Sequence, residues 1–107
     1  MKILLDECVT KKLRAYLKEF EVFTVTELGW GGVKNGKLLT LCIENNFDVF
    51  LTIDKNLNYQ QNISKYKISV VVINSITSKV EELSQFMPSF KGQLLKFEPY
   101  NVYIIDK

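Results

Sequence analysis

Phe47-Asp48-Val49-Phe50-Leu51-Thr52-Ile53-Asp54 is the stretch from which the fold can be read. Val49 to Ile53 is apolar on both alternations and ends at a carboxylate, as in a strand buried on both faces of a parallel sheet. Upstream, Ile3-Leu4-Leu5 repeats the pattern and ends at Asp6-Glu7. Thr10 is placed to cap a helix with an apolar stripe of Leu13, Tyr16, Leu17 and Phe20, its Lys11, Lys12, Arg14 and Lys18 lying elsewhere. Val22 to Val25 is β-branched and reads as a strand, and Gly29-Trp30-Gly31-Gly32 as a loop. Asn35 is expected to cap a helix carrying Leu38, Leu39, Cys42 and Ile43, which Asn45-Asn46 ends.

Downstream, Asn56 to Tyr66 is polar and reads as a short helix. Ser69 to Ile73 is the most apolar strand, expected central or near-central in the sheet. Ser78-Lys79-Val80-Glu81 fits a capping box opening a helix with Val80, Leu83 and Met87, extended past Pro88 to Phe90 and Leu94. Asn101 to Ile105 is the last strand. Strands alternating with helices call for crossover connections, hence a mostly parallel sheet with helices on both faces. In such sheets ligands sit outside the carboxyl ends of the strands. That rule selects Asp6 and Glu7, Asp54, then Asn74, Ser75 and Thr77, and Asp106.

Composition narrows the chemistry. With 107 residues, 47% hydrophobic and 24% charged, the chain suits one domain, 1–107, with no linker or repeat. No histidine is present, which removes imidazole bases, Ser-His-Asp and Cys-His nucleophiles and mixed Cys/His zinc sites. Cys8 and Cys42 fit no Cys-x-x-Cys pairing and read as buried reduced thiols. A net charge of +2 is too small to announce nucleic-acid binding, so any such binding must come from local charge. The apolar runs fall far short of the ~20 residues of a membrane span. Asp6 interrupts the first run before it could form a signal-peptide core, so a cytoplasmic protein is expected.

Carboxylates from two strand ends repel unless a cation lies between them, and Mg²⁺ or Mn²⁺ is the natural partner for oxygen ligands. The plainer reading is that Asp6 and Asp54 cap the turns that follow them. Two chemistries fit the acids. One is metal-dependent phosphodiester hydrolysis. The other is a receiver-like phosphoacceptor, with Asp6-Glu7 holding the metal, Asp54 accepting phosphate, a hydroxyl at Ser75 or Thr77, and Lys107 as the cation.

Lys2-Ile3-Leu4-Leu5-Asp6-Glu7, Glu27-Leu28-Gly29-Trp30 with Gly32-Val33-Lys34-Asn35-Gly36, and Phe47 through Asn56-Leu57 resemble the DUF5615 family of PIN-like proteins along almost the whole chain. The resemblance implies an α/β fold, a PIN-like three-layer α/β/α sandwich around a mostly parallel sheet of about five strands. It further implies an acidic Mg²⁺ or Mn²⁺ pocket and a role like that of toxin ribonucleases paired with an antitoxin protein. Asp6 and Asp54 match the family's acids, and Glu7 completes its Asp-Glu pair. Asn35 and Asn56 stand where many relatives carry Asp, and each replacement removes a negative charge while keeping a carbonyl ligand. On this reading Asp6 and Asp54 hold the metal, with Asn35 and Asn56 completing or supporting the pocket. A catalytically degenerate module that binds RNA or protein is the alternative.

Lys34, Lys37 and Lys55 flank the expected pocket and are candidates for RNA phosphates, transfer RNA among the substrates, against a default of solvated lysines. Trp30 is a candidate for stacking on a base, or an aromatic plug at the core edge. Gln60, within Tyr59-Gln60-Gln61-Asn62, is a candidate for nucleotide edges or for water. The Lys11, Lys12, Arg14 and Lys18 stripe reads as a solvated face or an acidic antitoxin's contact. A homodimer is a further expectation.

Overall fold

In the computed structural model, which describes residues 1–56 and 62–107, β1 (Lys2–Leu5), β2 (Glu21–Thr24), β3 (Val49–Thr52), β4 (Ser69–Ile73) and β5 (Asn101–Ile105) form one sheet. Every pairing is parallel and the order is β2-β1-β3-β4-β5. β3 is central and β4 its neighbour, and both are buried along their whole length, as their apolar runs require.

Alternation divides the side chains between two layers. Ile3, Leu5, Val49, Leu51, Val71 and Ile73 point to one face, against Leu13, Leu17, Leu83, Phe86 and Phe90. Leu4, Phe50, Val70 and Val72 point to the other, against Leu38, Leu39 and Cys42 of α1 (Asn35–Glu44) and against Ile63. The result is a three-layer α/β/α arrangement. Each layer removes large aliphatic and aromatic side chains from water, about 1.5–3 kcal/mol apiece.

The β1–β2 connection is shorter than its apolar stripe suggests. A 3₁₀ helix, Lys11–Tyr16, buries Leu13 and is followed by buried Leu17, while Tyr16 stays 45% exposed and Phe20 lies beyond the helix. Six residues at the 3₁₀ rise cover about 12 Å. That matches the ~13 Å of a four-residue strand with few residues to spare. Thr10 does cap this helix, its Oγ1 accepting from the Lys12 N–H at 3.3 Å.

α1 begins at Asn35 with Lys34 in the cap position and no side-chain cap bond, so the helix starts one residue earlier than a cap at Asn35 would place it. Its end is a Schellman motif. The Asn46 N–H reaches the Ile43 carbonyl at 3.1 Å and the Phe47 N–H the Cys42 carbonyl at 2.9 Å, with Asn46 at φ 63°. Of the polar Asn56–Tyr66 stretch, residues 57–61 lie outside those described; Ile63–Lys65 is a 3₁₀ turn. The Tyr66 hydroxyl then lies so close to Gly36 that a Cβ there would collide with it.

The capping box at Ser78 does not form. Lys79 is the cap residue of α2 (Val80–Leu83), and its own N–H goes to Thr77 Oγ1 at 3.2 Å. A 3₁₀ turn, Ser84–Phe86, leads into α3 (Met87–Gly92), where Pro88 sits in the first turn and breaks no helical bond. Leu94 falls in a separate 3₁₀ turn, Leu94–Lys96.

The α2–α3 connection from β4 to β5 packs on the same face as the β1–β2 connection. The two run in opposite directions along the strand order, so they have opposite hands and the right-handed crossover rule cannot hold for both. No helix among the described residues is long and apolar enough to cross a membrane.

Candidate functional site

β1 and β3 are neighbours whose flanking connections leave to opposite layers, which makes the gap beyond their carboxyl ends the switch point of the sheet. Asp6 follows β1 there. Its N–H extends the sheet by donating to the Leu51 carbonyl at 3.0 Å, which fixes the side chain over the end of β3.

The last residue of β3, Thr52, is fully buried. Its hydroxyl donates to Asp6 Oδ2 at 2.7 Å and accepts from the Asp54 N–H at 3.0 Å. One hydroxyl thus ties the Asp6 carboxylate to the backbone that carries Asp54. Asp6 Oδ1 accepts from the Glu7 N–H at 2.8 Å, and Asp54 Oδ1 from the Asn56 N–H at 2.8 Å. Both acids therefore cap their own turns, as the plainer reading expected, and the Asp6 carboxylate is in addition held to the backbone that carries Asp54. A turn cap uses one lone pair of an oxygen that has two, so neither use spends the carboxylate.

Asp54 and Asn56 are exposed, and the Asn56 backbone N–H closes the Asp54 turn. Glu7 is turned elsewhere: its Oε1 accepts from the Gly32 N–H at 2.7 Å, pinning the glycine loop, where Gly32 takes φ 81°. Among the described residues no three Cys, Asp or Glu side chains converge closely enough to hold one ion. Mg²⁺ does not require that, since it keeps several waters and binds through one or two carboxylates together with substrate phosphates.

Searched against family models, curated proteins and solved structures, the chain matches none.

Lys34 and Lys37 are exposed at the start of α1. Lys55 is exposed too, but its Nζ donates to the Ser75 carbonyl at 2.8 Å, which bridges the ends of β3 and β4. Trp30 packs edge-on against Phe47 with centroids 6.0 Å apart, as a plug at the margin of the α1 layer. Asn35 opens α1, and Gln60 lies outside the described residues. Ser75 and Thr77 satisfy each other, the Ser75 hydroxyl donating to the Thr77 carbonyl at 2.8 Å. Asp106 accepts from the Asn74 amide at 2.7 Å. Lys107 pairs with Glu82 at 2.6 Å and lies over the Phe86 ring. The hydroxyls and the lysine that a phosphoacceptor would need are therefore engaged away from Asp54.

Two residues belong to this site beyond the expected acids. Thr52 is one, and its signal was its place between the strand run and Asp54. Cys8 is the other. It is exposed rather than buried, with its thiol 3.5 Å from both Asp6 Oδ2 and Thr52 Oγ1. Loss of solvation around the sulfur raises its pKa above the ordinary 9.0, the Thr52 hydrogen bond works against this, and the Asp6 charge adds to the rise. The thiol thus stays protonated and faces the carboxylate as a donor. Cys42 is the buried thiol expected, pushed up to about 12 by burial.

Proposed function

We propose that the chain is a PIN-like, metal-dependent ribonuclease that hydrolyses RNA phosphodiesters at the β1–β3 switch point. The observation that carries this reading is the Thr52 hydroxyl, bonded at once to the Asp6 carboxylate and to the Asp54 backbone. A buried side chain that orients the Asp6 carboxylate against the backbone of the turn carrying Asp54 is more than two independent turn caps require. Asp6 and Asp54 would hold Mg²⁺ or Mn²⁺, with Asn56 adding a neutral oxygen. A cation held there supplies Lewis acidity toward water and offsets phosphate charge.

The protein's own part is orientation and charge. Thr52 fixes the Asp6 rotamer, and the Asx turn at Asp54 directs its carboxylate outward. The exposed Lys34 and Lys37 offer the substrate backbone cations, which gives binding a salt dependence. Two neutral asparagines, at positions where the family it resembles carries acids, would leave a weaker cation site, so Mn²⁺ or Mg²⁺ is expected to be needed at high concentration. The toxin role, an antitoxin partner, a homodimer and cytoplasmic action rest on the family resemblance and belong to the same proposal.

The test is cleavage of total and transfer RNA by the purified chain with Mn²⁺, Mg²⁺ or EDTA. The expected result is metal-dependent cleavage that Asp6→Asn and Asp54→Asn each reduce by at least ~100-fold, the scale of a lost charge-stabilising group. Folded protein that cleaves nothing under any metal would overturn the enzyme and leave the binding module.

A further inference from the structure

A cavity of about 510 Å³ opens at the amino ends of β3 and β4, the edge of the sheet opposite Asp6 and Asp54, and shares no residue with that site. Phe47, Phe97 and Pro99 give it apolar walls. Ser69, which opens the otherwise apolar β4, lines it too and is only 3% exposed. Its hydroxyl has no hydrogen-bond partner among the described residues, yet the oxygen is not sealed in, so it faces the cavity. A partnerless hydroxyl in such a strand costs stability unless something in the cavity bonds it. Lys67 and Asp48 stand on the neighbouring strand ends, where the Ser69 N–H donates to the Asp48 carbonyl at 3.1 Å. Both line the cavity and both are exposed, but neither forms an ion pair, with the other or with any described residue. Asp48 Oδ2 accepts from the Lys2 backbone N–H at 2.8 Å, which leaves Oδ1 open. The Lys2 ammonium itself is engaged, on the Asn45 carbonyl at 2.6 Å and over the Phe47 ring.

Among the described residues the cavity thus offers an ammonium, a carboxylate and a hydroxyl, each with bonding capacity left, beside an aromatic wall. Its volume falls in the range of small-molecule sites, roughly 300–1,000 Å³. Asp48 would repel a simple anion and Lys67 a simple amine, so the pair selects a ligand that carries both charges. The walls select an apolar body, and aromatic rings pack well on one another. We propose that this cavity binds a free α-amino acid with an aromatic side chain. Its carboxylate meets Lys67 Nζ and the Ser69 hydroxyl, its ammonium meets Asp48 Oδ1, and its ring lies against Phe47, Phe97 and Pro99.

The probe is L-phenylalanine, titrated into the intact chain and followed by amide NMR. 3-Phenylpropionate, which lacks the ammonium, and 2-phenylethylamine, which lacks the carboxylate, are titrated in parallel. Saturable binding of the amino acid with a Kd below about 1 mM is expected, with shifts gathered at residues 46–49, 67–69 and 97–99. Each single-charge compound should bind about tenfold more weakly, as should L-phenylalanine to Lys67→Gln, Asp48→Asn and Ser69→Ala, the scale of one lost hydrogen bond to a charged group. Lys67 and Asp48 are exposed, and asparagine at 48 keeps an oxygen for the Lys2 N–H, so these two variants decide the matter if Ser69→Ala fails a near-ultraviolet dichroism check of folding. No saturation, equal binding of either single-charge compound, shifts gathered elsewhere, or unchanged affinity in the charge variants would each overturn the proposal.

Discussion

Thr52 shows how much one buried hydroxyl can organise. It donates a hydrogen bond to Asp6 and accepts one from the Asp54 N–H, so replacing it with the isosteric valine takes the hydroxyl from a carboxylate oxygen and strands an amide. Thr52→Val should cost ~1.5–3 kcal/mol of stability, the range for a hydrogen bond to a charged group, read from urea unfolding. The same variant should lose RNA cleavage while its circular dichroism stays native. A wild-type unfolding midpoint would show that the hydroxyl does not hold the acids. At this scale the sequence revealed the acids but not their holder. A threonine beside a strand end is ordinary, and only the approach of β1 to β3 puts Asp6 within reach of it. Cys8 follows the same rule: two residues beyond Asp6 its backbone has left the sheet, so a small apolar residue ended up open and facing the carboxylate.

Among the elements, α1 was legible at both its apolar face and its end. Leu38, Leu39 and Cys42 are buried as their spacing indicated, and Asn46 takes the left-handed position that Asn tolerates best after Gly. Asn46→Ala should destabilise by ~1 kcal/mol, and Asn46→Gly should be neutral or stabilising, in thermal unfolding monitored by circular dichroism. The 3₁₀ helix was not legible, because its length is set by the strand it spans and not by its own periodicity. It is tied down by Arg14, whose guanidinium pairs with Glu27, and Glu27 also accepts from the Thr24 N–H at 2.8 Å. The Arg14 hydrogen bond, and after it the Thr24 N–H, hold the Glu27 carboxyl below its ordinary 4.5. A depressed folded-state pKa contributes stability above the unfolded value, and that contribution is lost as pH falls through the folded one. Unfolding midpoints taken from about pH 6 down to about pH 3 should therefore fall less steeply in Glu27→Gln than in the wild type. Parallel slopes would mean that the ion pair does not couple to folding.

For the whole molecule, the arrangement of layers matters most. Two connections of opposite hand share one face, and the reason is coverage. A six-residue 3₁₀ helix leaves much of the Val49, Leu51, Val71 and Ile73 surface bare, and α2 and α3 return to the same side to cover it. A cation that binds only the folded chain stabilises it as a whole, by ~2.7 kcal/mol at a hundredfold excess over its Kd. Saturating Mn²⁺ should accordingly raise Tm by roughly 10 °C or more in a domain of this size. EDTA should reverse the rise, and Asp6→Asn should lack it; an equal rise in that variant would place the ion elsewhere. By itself the sequence determined the five strands, the parallel class of the sheet, the carboxylates at its edge and the exclusion of histidine chemistry. These follow from local alternation and residue type, which each segment carries wherever it lies. Strand order, the face chosen by the β4–β5 helices, the turning of Glu7 to Gly32 and the joining of Asp6 to Asp54 through Thr52 were decided only in three dimensions. Backbone hydrogen bonds are chemically alike in every strand pair, so which strands become neighbours depends on how the helices divide the apolar surface between two layers.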